Sequence, residues 1–137
     1  MINKQDGSVE FDSPDIHLLR GMTLQQFRQS PCFSSFKLSQ DLDPCFTYRC
    51  EAAQADGRTF DASVWFYSDV ISKLSLRIIQ PTRPDGDEYF HRDYLRQILG
   101  YQAEGDYGLI EYSYDWGSVN AGEMKGCESD IMVVYAS

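Results

Sequence analysis

The sequence predicts an α+β domain: a mainly antiparallel β-sheet with two helices packed on one face, in the order β-β-α-β-β-β-α-β-β. Three observations predict it. Residues 45–78 read as three strands in which apolar and polar side chains alternate across two tight turns. Two segments open with the residue spacing of a helix capping box. The 137 residues, 42% hydrophobic and 14% aromatic, suffice for one packed core, hence a single domain over 1–137.

The elements follow in order. Residues 9–11 and 16–19 are short strands about a turn at Ser13, Pro14 and Asp15. Thr23 is a helix N-cap with Gln26 three residues on, and Met22 and Phe27 flank it as a hydrophobic staple. Leu24 and Phe27 share the inner face, and Pro31 ends the helix. Phe46, Tyr48, Cys50 and Ala52 then alternate with polar neighbours up to a turn carrying Asp56-Gly57, a strong hairpin signal. Phe60, Ala62, Val64 and Phe66 continue the pattern, as do Leu74, Leu76 and Ile78 after a turn at Ser68-Asp69. Trp65 and Tyr67 fall on the otherwise polar face of this meander.

Residues 81–86 read as a loop, with Asp85 and Glu88 at capping-box spacing for a second helix reaching about Leu99. Its buried stripe is Phe90 or His91, then Tyr94, Leu95, Ile98 and Leu99, with Gly100 just past its end. Residues 109–114 are a strand, 115–117 a turn and 117–126 an irregular stretch. Residues 131–136, apolar on both faces, are expected to be a central strand covered on both sides.

Charge bounds the function. The chain carries 21 acidic and 12 basic residues, net −9. Phosphate recognition draws on Lys and Arg that release counterions, so nucleic acid is not an expected partner, and neither is an anionic membrane surface. No run approaches the ~20 apolar residues of a membrane span. Residues 1–9 lack the basic and apolar regions of a secretion signal, so the expected location is the cytoplasm.

No pattern for nucleophilic, phosphate-binding or zinc chemistry is present. His17 and His91 read as a surface or satisfied core histidine, and Cys32, Cys45, Cys50 and Cys127 as free thiols without a C-x-x-C pair. Cys45 and Cys50, five apart, face opposite ways on one strand. Asp85, Asp87 and Glu88 read as helix-capping acids, without the spacing of a calcium loop. No catalytic residue, metal or cofactor is therefore assigned, and the chain reads as a binding protein, not an enzyme.

The acidity is concentrated. Between Glu104 and Asp130 stand seven acids and one base, Lys125, interleaved with Tyr107, Tyr112, Tyr114 and Trp116. Carboxylates around aromatic anchors suit a basic protein surface, through steering and hot-spot burial. The candidate partner-binding residues are Asp106, Glu111, Tyr114, Asp115, Trp116 and Glu123. Trp116, at a strand end before Gly117, also suits a core anchor capping the sheet. Two alternatives stay open: an enzyme whose carboxylates converge only in the fold, and an adaptor using an exposed sheet edge.

Two segments carry a resemblance. Leu19-Arg20-Gly21-Met22-Thr23 with Phe27 resembles a Gly-Met-Thr helix opening. Tyr114-Asp115-Trp116-Gly117, then Gly122-Glu123, Gly126 and a last strand ending Val134-Tyr135, is similar to the tail of small uncharacterised bacterial proteins of the immunity-protein kind. The opening, over residues 18–78, also resembles beta-lactamase-inhibitor-like and outer-membrane-assembly lipoprotein folds, in which a short helix precedes an antiparallel sheet. The first resemblance implies a cytoplasmic immunity protein that neutralises a toxin domain by occluding its basic active-site region. It supplies no catalytic residue.

Overall fold

The structure, a computed structural model, describes residues 1–79, 90–124 and 127–136, without the Cys127 side chain. The expected loop at 81–86 and the Asp85/Glu88 capping box lie outside the described residues, as do Lys125 and Gly126. β1 (Val9–Phe11) and β2 (Ile16–Leu18) form a hairpin. α1 (Leu24–Gln29) and a 3-10 turn (Pro31–Ser35) lead into β3 (Lys37–Leu42), β4 (Cys45–Ala55), β5 (Arg58–Tyr67) and β6 (Val70–Ile79). α2 (Phe90–Leu99) and a second 3-10 turn (Asp106–Gly108) precede β7 (Ile110–Tyr114) and β8 (Gly117–Ala121). A small hairpin of β9 (Glu123–Met124) and β10 (Cys127–Glu128) comes before β11 (Ile131–Tyr135). Seven strands form one antiparallel sheet in the order β3-β4-β5-β6-β11-β8-β7.

The α+β architecture with both helices on one face is the one the patterning predicts. Register places Ala62, Leu76 and Ile131 side by side, and Val64, Leu74, Val133, Val119 and Tyr112 in the next row, all buried. α1 seats Phe27 among Tyr48, Phe66, Phe33 and Phe36, with ring centroids 5.0–5.4 Å from it. The hairpin β1–β2 adds Phe11 against Phe60 at 5.8 Å, and α2 adds Tyr94 against Phe60 at 5.5 Å. The α1 cap forms as its spacing predicts: Gln26 N–H donates to Thr23 Oγ1 at 3.0 Å, and Thr23 N–H donates to Gln26 Oε1 at 2.9 Å.

Four sequence expectations are corrected. Residues 37–42 are an edge strand that patterning does not reveal, because all six are exposed and a bulge between Leu38 and Gln40 breaks the alternation. Residues 117–121 are the strand β8, whose Val119 and Ala121 are core residues too small and too few to stand out from the glycines around them. β11 is central as expected, between β6 and β8, but only one of its faces is covered: Val134 is 37% exposed. On α2, Arg92 is fully buried, whereas Phe90 and Ile98 are half-buried.

The N-terminal residues lie against the β7–β8 turn. Trp116 Nε1 donates to the Lys4 carbonyl at 3.0 Å, and the Tyr135 hydroxyl donates to the Gly7 carbonyl at 2.8 Å. Gly7 has φ +76, and a Cβ there would fall 2.5 Å from the Trp116 indole, so only glycine fits. Among the described residues no helix is long and apolar enough to cross a membrane.

Candidate functional site

The acidic segment is organised from a buried cation. Arg92 sits in the first described turn of α2, three residues before Leu95 and seven before Leu99, on the stripe the helix turns inward. Its Nε donates to Glu128 Oε2 at 3.1 Å, and its Nη2 to Glu123 Oε1 at 3.3 Å. Its Nη1 donates to Glu104 Oε1 at 3.2 Å and to the Gly108 carbonyl at 3.0 Å. A fully buried guanidinium is tolerated only when its fork of donors is met this completely. One side chain thus ties α2 to the 106–108 turn and to both strands of the β9–β10 hairpin.

Glu128 completes the joint. Its carboxylate also accepts from the backbone N–H of His91 at 2.7 Å and of Arg92 at 3.2 Å. His91 is consumed structurally: Nε2 accepts from Ile78 N–H at 3.0 Å, so Nδ1 is the nitrogen that donates to the Ser129 carbonyl, at 2.6 Å. Both ring nitrogens are spent on backbone, which leaves none for proton transfer. His17 is surface-exposed, with Nδ1 3.3 Å from Glu10. Cys32, Cys45 and Cys50 are free thiols, and burial pushes the Cys50 thiol above its ordinary value, away from a reactive thiolate. Among the described residues no group of three His, Cys, Asp or Glu side chains is placed to hold a metal ion.

What Arg92 supports is an exposed, aromatic and acidic surface. Tyr107 is 85% exposed and held at φ 56, ψ 34, a left-handed conformation that a bulky residue rarely adopts. The loop around it closes through Gly105 N–H to the Leu109 carbonyl at 2.7 Å and Leu109 N–H to the Asp106 carbonyl at 3.1 Å. Gly122 packs against the backbone of Tyr107 and Leu109, so β9 lies beside this loop and brings exposed Met124 with it. Tyr101, 81% exposed, lies 5.5 Å from the Arg96 guanidinium, which also sits 3.6 Å from Glu104. Asp106 is exposed and makes no ion pair among the described residues.

The six residues singled out from the sequence divide between three places. Asp106 and Glu123 belong to this surface, with Glu123 bonded to Arg92. Glu111 is exposed on the helix-free face of the sheet, opposite Asn120. Tyr114, Asp115 and Trp116 lie at the far end of β7, in and beside the β7–β8 turn. Asp115 is exposed there, but Trp116 is only 3% exposed and stacks on Tyr114 with centroids 5.0 Å apart, so Trp116 is the core anchor of that turn. Sequence reasoning placed Glu104 and Tyr107 in the acidic segment without choosing them as candidates, and it passed over Tyr101, Met124 and the Arg92–Glu128 joint. The available signal was an arginine at i, i+3, i+7 spacing with two leucines on an amphipathic helix.

No protein-family model, curated protein or solved structure matches this chain.

Proposed function

We propose that this is a small acidic protein-binding domain that captures a basic partner protein through the surface around Tyr107. The particular role we favour is that of an immunity protein acting in the cytoplasm, which neutralises a cognate bacterial toxin by covering its basic active-site region. It acts by stoichiometric occlusion and performs no reaction of its own.

The observation that carries the reading is Tyr107, an 85% exposed aromatic in a left-handed backbone conformation, next to Gly108, whose carbonyl accepts from the fully buried Arg92. Strained residues persist where the surroundings over-determine them, and such places concentrate at binding surfaces. Tyrosine offers contact area at little entropic cost. Asp106 beside it presents an exposed carboxylate to incoming Lys and Arg, and the part-exposed Glu104 and Glu123, although bonded to Arg92, add to the negative field that would speed encounter at low salt. Exposed Met124 and half-exposed Leu109 supply adaptable apolar contact beside it.

The test is a pull-down from native lysate at low and high salt with wild type, Asp106→Asn and Tyr107→Ala. The expected result is one basic protein retained at low salt, weakened by salt and by both substitutions. Retention that ignores the substitutions, or that fails at every salt, overturns the assignment.

A further inference from the structure

We draw no further inference here: the strongest candidate, the open and largely apolar cleft of about 320 Å³ at the end of the sheet where Tyr67, Val70 and Tyr135 meet the Arg20–Gly21 turn, carries none because nothing in the structure shows what covers it.

Discussion

Glu128 and Arg92 meet side chain to side chain and side chain to backbone at the same point. The carboxylate accepts from Arg92 Nε at 3.1 Å, from Arg92 N at 3.2 Å and from His91 N at 2.7 Å. Glu128 thereby anchors the helix to the β9–β10 hairpin, 36 residues away in the chain. Arg92→Ala leaves the carboxylate of Glu128, whose side chain is 8% exposed, without its cation. Breaking a buried pair in this way is expected to cost about 3–5 kcal/mol, read from urea unfolding. Arg92→Lys is expected to recover only part, because an ammonium cannot reach three carboxylates and a carbonyl as a fork does.

Tyr107 separates binding from stability. Its left-handed backbone is a conformation glycine adopts freely, and its exposed ring contributes little packing. Tyr107→Gly is expected to leave unfolding free energy within about 1 kcal/mol of wild type while abolishing partner retention. A large loss of stability would show that the ring belongs to the fold.

At the other end of β7 the expectation reverses. Trp116→Ala empties a site bounded by Tyr114, Tyr135 and Gly7 and removes the bond to Lys4, so a cost of about 3–5 kcal/mol is expected. Asp115→Asn in the same turn is expected to change stability by no more than about 0.5 kcal/mol. Equal effects in denaturant titrations would contradict the burial difference between these neighbours.

Alkaline pH is expected to destabilise the protein through Tyr94 and Tyr135, which are 1% and 8% exposed. Burial pushes both hydroxyls above the ordinary tyrosine range, and the Tyr94 bond to Asp56, at 2.6 Å, adds to the effect. With a raised folded-state value, the unfolded chain loses its protons first. The stabilisation is therefore complete below about pH 10 and is lost as pH rises towards the folded-state values. The slope is about 1.4 kcal/mol per pH unit for each tyrosine. Tyr94→Phe should flatten the alkaline limb of a stability-against-pH curve; an unchanged slope would remove Tyr94 as its source.

The cap of α1 gives a local check. Thr23→Ala deletes one arm of a formed capping box, and about 1 kcal/mol of stability is expected to go with it in thermal or urea unfolding.

Local chemistry determined much of this fold from the sequence by itself. Alternation along 45–78 decided three strands and most of their faces, including the outward placing of Trp65 and Tyr67, because a strand sends successive side chains to opposite sides; it failed at Ala52, expected inward but exposed, where a bulge after Cys50 turns Ala53 and Ala55 to the core instead. The α1 cap and Gly100, which adopts φ +101 past α2, were legible for the same reason: their partners lie within four residues. The site was legible only in part. Composition marked the acidic segment and placed Asp106 and Glu123 in it, but long-range packing decided the rest. Whether Trp116 faced solvent or core depended on Lys4, a partner 112 residues distant. That Arg92 would be buried depended on carboxylates at 104, 123 and 128 arriving together, which no spacing along the chain encodes. β3 and β8 escaped notice because an exposed edge strand and a strand of small residues carry too little apolar contrast to set a period. Register across strands is a property of the whole sheet, so only the tertiary structure set Asp61 opposite Arg77 and brought Asp130 to the same arginine.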